Sequence, residues 1–254
     1  MTMQAEVKSA QATVPVGVPV RPLSTRRHGV RTIGVGLVVT KLRRRLWSTH
    51  RAIAVCRDTQ GAGLLASPAD GLRVDLIQPD DFSVLASLVA DATGLEYLYV
   101  RPIERTRQAR AGMVSAATNA AGELVAFHFI HETHNHEALN SVAPNMYPKL
   151  PTDEVLTEAV YCLPAFRGQA LAPRLLQATG SIMAARGKRR AWAYLDTTNI
   201  AALRMFNRAG YHPSGEERVD RYRFGRFSTA FRPLTPKTQR EWDTILAGSR
   251  PEPF

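Results

Sequence analysis

The sequence predicts an α/β protein, and two observations lead to that prediction. From Leu72 onward, segments with the alternating period of strands follow one another with segments that have the period of amphipathic helices, in the order β-α-β-β-β-α-β-α-β-β. The composition, 44% hydrophobic and 22% charged, is that of a globular protein and excludes collagen-like, coiled-coil and wholly disordered chains. A length of 254 residues allows one α/β domain with additional segments, or two small domains.

The first half of the patterned region predicts one helix and four strands. A strand at 72–77 precedes a helix at 79–91, where Pro79 suits the first turn and Asp80 and Asp81 favour the positive end of the helix dipole. Strands at 112–117 and 124–131 are joined by a turn at 119–122. Residues 132–152 contain three prolines and predict an irregular loop before a long apolar strand at 155–163.

The second half predicts a helix at 169–186, a strand at 191–195, a helix at 199–208 and a hairpin at 219–231. These elements define a predicted domain of residues 72–231. A connecting segment of residues 48–71, with a short strand at 51–56, precedes it, and a C-terminal tail of residues 232–254 with a short helix follows it.

The net charge of +11 lies almost entirely at one end of the chain. Residues 1–58 carry eleven basic side chains against two acidic ones, whereas the rest of the chain holds 22 basic and 20 acidic groups. Residues 1–47 are predicted to be a basic, largely disordered extension, with a short basic helix possible at 41–47. Four roles remain open for this arm: binding of nucleic acid, contact with a membrane surface, a transit peptide, or a simple solvated tail. Trp47 is its only Phe, Tyr or Trp residue.

The two cysteines, Cys56 and Cys162, are too few for a disulfide framework and predict free, buried thiols in a reducing compartment. No stretch approaches the roughly 18 uninterrupted apolar residues of a membrane helix. A cytoplasmic location is therefore the prediction. Nothing in the sequence pattern shows an oligomeric state, and a homodimer is left open.

The junction between the strand at 155–163 and the following helix is the most informative motif. It reads Arg167-Gly168-Gln169-Ala170-Leu171-Ala172. Backbone N–H groups at the start of a helix have no partner within the helix, and small side chains let an anion approach them. This pattern favours a phosphate or pyrophosphate, with Arg167 and Arg174 able to add charge-assisted hydrogen bonds, although such turns often serve packing alone.

A second motif begins at Asn199, a residue type that caps helices, and ends at Gly210 and Tyr211. Ala202 and Phe206 lie four residues apart and share one helical face.

Together the two motifs resemble those of the GCN5-related N-acetyltransferase (GNAT) superfamily. That family's acyl-CoA loop reads Arg/Gln-x-x-Gly-x-Gly/Ala, which residues 167–172 match with alanine at the middle glycine. Its later helix reads Asn-x-x-Ala-x-x-x-Tyr-x-x-x-Gly-Phe, which residues 199–211 match with Phe206 at the tyrosine position. The order of elements from residue 72 to about 227 agrees, whereas the basic N-terminal region is not covered.

The resemblance implies a GNAT fold, with a mixed, mostly antiparallel central sheet flanked by helices, and the transfer of an acetyl group from acetyl-CoA to an amine. The backbone of the fourth family strand would pair with the pantetheine arm, and the loop would hold the pyrophosphate. The implied acetyl-CoA residues are Val160, Tyr161, Cys162, Leu163, Arg167, Gly168, Gln169, Ala170, Leu171, Ala172, Asn199, Ala202 and Phe206.

The resemblance also implies candidate catalytic groups. Glu158 precedes Val160 in a pattern that carries the general base in histone-type members, although an ion-paired glutamate is an equal alternative. Many members use a tyrosine to protonate the leaving thiolate, and Phe206 cannot do so. Tyr194 and Tyr211 are the candidate donors in its place.

Four of the seven histidines lie within nine residues, at His128, His131, His134 and His136. Their spacing fits no standard metal site, and no metal is expected. The family's acceptor pocket lies beside this region, which makes His128, His131 and His134 candidate substrate contacts. The predicted acceptor is the amine of a polar small molecule such as an amino sugar. Protein lysine or N-terminal acetylation, or a non-catalytic acyl-CoA-binding module, are the alternatives.

Overall fold

The computed structural model describes residues 47–59, 71–78, 97–224 and 226–247. The predicted extension up to residue 46 and the predicted helix at 79–91 lie outside the described residues. The chain clusters into a unit of residues 1–32, none of which is described, and a unit of residues 33–254, which contains every described residue.

Eight strands form one sheet in the order β2-β3-β4-β5-β6-β1-β7-β8. The strands are β1 (Trp47–Asp58), β2 (Arg73–Ile77), β3 (Met113–Thr118), β4 (Leu124–Glu132), β5 (Glu154–Cys162), β6 (Arg190–Asp196), β7 (His212–Arg223) and β8 (Arg226–Pro233). All neighbouring strands are antiparallel except β5 and β6, which are parallel. The mixed, mostly antiparallel sheet predicted from the sequence is confirmed.

Five α-helices flank the sheet in the described part of the chain. They are α1 (Tyr97–Ala109), α2 (His136–Val142), α3 (Leu171–Ala185), α4 (Ile200–Arg208) and α5 (Pro236–Ala247). The predicted helices at 169–186 and 199–208 are present as α3 and α4. The final hairpin is also present, but its first strand begins at His212, seven residues earlier than predicted.

β1 corrects the predicted domain organisation. The strand expected at 51–56 is present, but it pairs with β6 on one side and β7 on the other, so it lies inside the sheet. Ile53 and Val55 are fully buried in the main core. The Gly-, Ala- and Ser-rich segment after this strand has the composition of a linker, which is why the sequence separated the strand from the domain.

Two further elements depart from the predictions. The segment at 132–152 is not wholly irregular, because it contains a 3-10 turn at Thr133–Asn135 and the helix α2. The short helix predicted in the C-terminal tail at 232–254 is present as α5, but it belongs to the domain, because Trp242 is buried in the main core and the Thr238 hydroxyl donates to the buried Glu217 carboxylate at 2.6 Å.

The core lies on both faces of the sheet. Leu176 and Met183 of α3 pack on one face with Val155, whereas Leu139 of α2 packs on the other with Leu156. Successive residues of a strand point to opposite faces, so β5 contributes to both cores. Cys56 is buried, Cys162 is half-buried, and both are free thiols.

Candidate acetyl-CoA site and active site

β5 and β6 pair at only three positions and then separate. The paired residues are Glu154–Leu156 with Arg190–Trp192. Beyond them, β5 carries a bulge at Ala159, which has a φ of +51°, and its register with β4 shifts between Phe127 and Phe129. A bulge bends a strand and increases its local twist. The edge of β5 that faces β6 therefore leaves backbone groups available to an extended ligand from residue 157 onward.

The residues of this open edge are Val160, Tyr161, Cys162 and Leu163, all of them half-buried. Their other edge is occupied, because Tyr161 and Cys162 pair with Phe127 and Ala126 of β4. One edge thus holds the strand in the sheet, while the other faces the gap that opens where β5 and β6 separate.

The turn after β5 leads directly into α3. Gly168 has a φ of +85°, and a Cβ at that position would meet nothing within 4 Å. Gly168 and Gln169 are exposed, and no side chain caps the N-terminus of α3. Uncapped N–H groups at the positive end of a 15-residue helix form a site for an anion.

Ala170 shows why glycine is usual at its position. Its φ and ψ are +52° and +24°, in the left-handed region that costs a residue with a Cβ about 1 kcal/mol or more. The family loop has its middle glycine here. The alanine keeps the backbone geometry of the loop at the expense of local strain.

Arg167 is held in place beside the turn. Its Nε donates to the carbonyl oxygen of Cys162 at 3.1 Å, and its guanidinium lies over the ring of Tyr161 with 5.6 Å from Cζ to the ring centroid. The exposed guanidinium is thereby oriented at the end of the open strand edge, where a pyrophosphate would lie.

The second motif forms the helix that it predicts. The Asn199 side chain accepts a hydrogen bond from the Ala202 N–H at 3.1 Å and caps α4. Phe206 is only 3% exposed and packs edge-on against Tyr211, with 4.9 Å between the ring centroids. Burial raises the pKa of Tyr211, whose hydroxyl hydrogen-bonds with Thr157.

Glu158 lies at the centre of a cluster of polar side chains. Its Oε1 accepts a hydrogen bond from Arg105 Nη2 at 2.5 Å. Its Oε2 accepts from the Tyr147 hydroxyl at 2.9 Å and lies 3.1 Å from His131 Nε2. Arg105 Nε also donates to the Tyr147 oxygen at 3.0 Å, which closes the cluster.

Neighbouring backbone makes room for this cluster. Gly112 has a φ of +88°, and a Cβ there would lie 2.5 Å from His131 Nδ1. Only glycine therefore allows the His131 ring to lie where it reaches Glu158. His131 itself is 3% exposed.

The cluster fixes the charge of Glu158. Burial alone would raise the pKa of this carboxyl, but the hydrogen bond from His131 and the charge of Arg105 outweigh it and lower the pKa to about 2. Glu158 is therefore ionised at neutral pH and is a weak base. The ion pair that the sequence left open as the alternative is present.

Residues 90–211 match the sequence model of the acetyltransferase (GNAT) family. This chain carries a GNAT acetyltransferase domain. No curated protein matches the chain.

Several solved structures match this chain at low sequence identity. A GCN5-related glucosamine N-acetyltransferase region of a fungal multi-domain GH3 beta-N-acetylglucosaminidase is 12% identical with a TM-score of 0.50, and the match covers 76% of this chain and 22% of that one. A GCN5-related N-acetyltransferase of Sphaerobacter thermophilus is 14% identical with a TM-score of 0.41, covering 79% and 57%. A Drosophila protein is 13% identical with a TM-score of 0.43, and the match covers 79% of this chain and 58% of that one. These three matches thus cover less than two thirds of the other chain.

Tyr194 lies on the same face of the GNAT sheet as Glu158, within the cluster of Tyr147 and Leu156. Its hydroxyl donates to Glu216 at 2.6 Å. Burial, and to a lesser extent this hydrogen bond, raises the pKa of the Tyr194 phenol. Tyr211 lies on the opposite face, since it bonds to Thr157, the neighbour of Glu158 along β5. The structure does not bring the two tyrosines together.

The three histidines predicted to contact substrate have three different surroundings. His128 is fully buried against α3, where its Nε2 lies 2.9 Å from the Thr179 hydroxyl, and its predicted contact with substrate is wrong. His131 belongs to the Glu158 cluster. His134 is exposed and ion-pairs with Glu132 at 3.2 Å. No group of residues in the described ranges is arranged to hold a metal.

Sequence reasoning missed Arg105 and Tyr147. Arg105 lies on α1, a helix that was not predicted, and Tyr147 lies in the segment predicted to be irregular. A half-buried arginine and a buried tyrosine carry no local signal that connects them to a glutamate far along the chain. Only the folded arrangement reveals the cluster.

Proposed function

We propose that this protein transfers an acetyl group from acetyl-CoA to a primary amine of a polar small molecule. The observation that carries the proposal is the separation of β5 from β6 after three residue pairs, at a strand that ends beside the uncapped N-terminus of α3. This arrangement offers an extended ligand a strand edge and offers its phosphates a helix N-terminus in one continuous path.

The residues of this path fit acetyl-CoA. The edge of β5 from Val160 onward lies beside the gap between β5 and β6, and it suits the extended, amide-containing pantetheine arm. The N–H groups of the turn at 168–172 and the guanidinium of Arg167 provide positive partners for the pyrophosphate. α4, which the Asn199 side chain caps, would border the thioester end through Ala202 and Phe206.

The chemistry is a direct attack. The amine nitrogen bonds to the thioester carbonyl carbon, the carbon–sulfur bond breaks, and the thiolate leaves while the amine loses a proton. With a pKa of about 2, Glu158 is poorly suited to store that proton. We propose that the carboxylate orients the incoming amine or a bridging water, and that the proton passes to solvent.

The proposed acceptor class rests on the polar character of the sheet face that holds Glu158. On this face, β6 carries Tyr194 and β7 carries Glu216 and Arg218. Arg218 Cζ lies 5.4 Å from the centroid of the Tyr194 ring. A face with carboxylates, a guanidinium and phenol hydroxyls suits a hydroxylated amine better than an apolar one. His131 and His134 remain predicted contributors to this region.

The test is release of free thiol from acetyl-CoA by the full-length chain in the presence of a panel of amines. The panel comprises glucosamine, polyamines, amino acids and a lysine-containing peptide. We expect thiol release with a hydroxylated small amine. Tight CoA binding without thiol release for any amine would contradict the enzymatic proposal, and release with the peptide alone would move the acceptor to protein.

The burial of Phe206 favours a second candidate, a non-catalytic acyl-CoA-binding module. Phenylalanine cannot protonate the thiolate, and it is packed where the family places a tyrosine. Phe206→Tyr distinguishes the two. In an enzyme that lacks an acid, we expect this variant to raise the rate of thiol release at pH values below the pKa of the added phenol, where the hydroxyl can still donate its proton, whereas a binding module gains no turnover. Tyr211→Phe, which removes the adjacent hydroxyl, lowers the rate only if Tyr211 serves as the acid.

A further inference from the structure

Glu216 is a half-buried carboxylate that has a hydrogen-bond donor but no cation paired with it. Its Oε1 accepts from the Tyr194 hydroxyl at 2.6 Å, and no lysine, arginine or histidine among the described residues forms an ion pair with it. Arg218 lies two residues further along the same face of β7, but its Nη2 pairs with Asp220 at 3.3 Å. The charge of Glu216 is therefore not neutralised by direct contact with a described side chain.

Four other buried or half-buried carboxylates show how the rest of the fold treats such a charge. Each has an arginine or lysine nitrogen at 3.5 Å or less, and they are Glu132, Glu154, Glu158 and Glu217. Asp196 also has no cation in the described part of the chain, but it accepts two hydrogen bonds from Thr198 in the turn before α4. A carboxylate withdrawn from water is stable when it is paired. The missing cation at Glu216 therefore points to a partner that a ligand supplies.

A β-bulge sets the direction of the Glu216 side chain. In the register between β1 and β7, the three residues 214–216 lie opposite the single residue Ala54. The Ser214 hydroxyl donates to the Ala54 carbonyl oxygen at 3.1 Å, and the Leu234 N–H donates to the Gly215 carbonyl oxygen at 2.8 Å. Bulges re-aim side chains and are frequent beside active sites. Bonds to both neighbouring strands hold this one in place.

A row of side chains across the sheet connects Glu216 to the proposed reaction centre. Glu158 and Tyr194 each lie two residues beyond the last paired residues of β5 and β6. Tyr194 pairs with Ala54 of β1, and the bulge that carries Glu216 lies opposite Ala54. Because Ala54 is small, the Tyr194 ring can cross β1 and reach Glu216. Neighbouring strands are about 4.8 Å apart, so Glu216 lies roughly 10 Å from β6, on the side away from the gap.

We propose that Glu216 binds a second amino group of the acceptor, as an ammonium, and thereby selects diamines. The inference rests on the proposed function, in which the acetylated amine lies at the gap between β5 and β6. The amine that attacks the thioester has to be neutral, so it is not the cation that pairs with Glu216. A second ammonium forms a charge-assisted hydrogen bond with a carboxylate, and Oε2 of Glu216 has no donor among the described residues.

The test measures thiol release from acetyl-CoA by the full-length protein with three acceptors of equal length. These are 1,4-diaminobutane, 4-amino-1-butanol and 4-aminobutanoate, which offer Glu216 an ammonium, a hydroxyl and a carboxylate. We expect the KM of the diamine to be about tenfold below that of the amino alcohol, and the amino acid to be the poorest substrate.

A matched pair of variants assigns this preference to Glu216. Glu216→Gln removes the charge and keeps an oxygen that accepts from the Tyr194 hydroxyl. We expect it to raise the KM of the diamine about tenfold, with kcat and the KM of the amino alcohol changed by less than a factor of about two. Misfolding would affect both acceptors alike. Glu241→Gln, the same change on α5 at the other face of the sheet, should alter neither KM.

Calorimetric titration of the diamine into the CoA-loaded protein separates this inference from the enzymatic proposal. If no amine releases thiol, the enzymatic proposal fails, whereas a diamine affinity that falls about tenfold in Glu216→Gln still supports the binding of the second amino group. An affinity and a KM that Glu216→Gln leaves unaltered overturn the inference. Equal KM values for the diamine and the amino alcohol overturn it as well, and both results leave the acetyltransferase proposal standing.

Discussion

The middle of β5 and the turn that follows this strand are built on opposite principles. At Glu158, both carboxylate oxygens have protein partners, and the cluster with Arg105, His131 and Tyr147 is closed. Ten residues further on, the turn at 167–172 has an uncapped helix end and exposed backbone. A buried charge is stable only when it is paired, whereas a ligand site must keep its donors unpaired until the ligand arrives. The closed cluster is expected to control stability, and the open turn to control the binding of acetyl-CoA.

The largest expected effect is at the closed cluster. Arg105→Ala leaves the largely buried Glu158 carboxylate without its cation and is expected to lower the free energy of unfolding by about 3 kcal/mol, measured by urea titration. Lys237→Ala breaks an exposed pair with Glu241 and should change it by less than about 0.5 kcal/mol. If Glu158→Gln does not reduce the cost of the Arg105 change by at least about 1 kcal/mol, the two side chains are not coupled as the structure indicates.

As the pH falls, the free energy of unfolding is expected to respond to His128, a second buried histidine, before it responds to this cluster. Burial lowers the pKa of His128 from 6.5 to about 4, so the unfolded chain takes up a proton that the folded chain refuses. The free energy of unfolding is expected to fall by about 2 kcal/mol between pH 8 and pH 5. The contribution of Glu158 to the free energy of unfolding is retained over this range. Folding lowers the pKa of its carboxyl from 4.5 to about 2, so this contribution is lost only as the pH falls below 4.5.

Denaturant titrations at the two pH values check this assignment. His128→Gln should flatten the dependence, while Glu158→Gln should leave the difference between pH 8 and pH 5 unchanged. A slope that disappears with Glu158→Gln would place the acid sensitivity in the charged cluster instead.

At the open turn, a change of one charge should affect binding and spare stability. Gln169→Glu adds a carboxylate beside the N-terminus of α3, which the helix dipole tolerates, and repels the pyrophosphate. We expect CoA affinity to fall about tenfold, or about 1.4 kcal/mol, in isothermal titration calorimetry. Gln177→Glu, further along the same helix, is the charge-matched control, and an equal loss there would show that CoA does not bind at the turn.

The smallest expected effect relieves the strain at Ala170. Ala170→Gly removes the Cβ from a left-handed position and should raise the free energy of unfolding by about 0.5 to 1 kcal/mol, with CoA affinity changed by less than a factor of about two. Thermal unfolding and calorimetry check both expectations. A loss of stability would mean that the positive φ of Ala170 is not a source of strain.

Much of the fold and of the candidate acetyl-CoA site could be predicted from the sequence because both are encoded locally. Asn199 caps α4 as its residue type predicts, and the turn from Arg167 to Ala172 lies between the predicted strand and helix. The sequence pattern places β1 outside the domain, because no feature within a twelve-residue strand indicates which two strands will pair with it. The same limitation applied to the predicted contact of His128 with substrate.

By itself, the sequence determined the strands after residue 71, the helices α3 and α4 with the cap at Asn199, and the small-residue turn, since hydrophobic period and backbone preference act between residues close in the chain. Only the tertiary structure decided the environment of the charged groups. Arg105 lies 53 positions and His131 lies 27 positions from Glu158, yet both contact its carboxylate. Burial and pairing, which fix whether a carboxylate is a base or an ion-pair partner, depend on neighbours that folding brings together across the sheet.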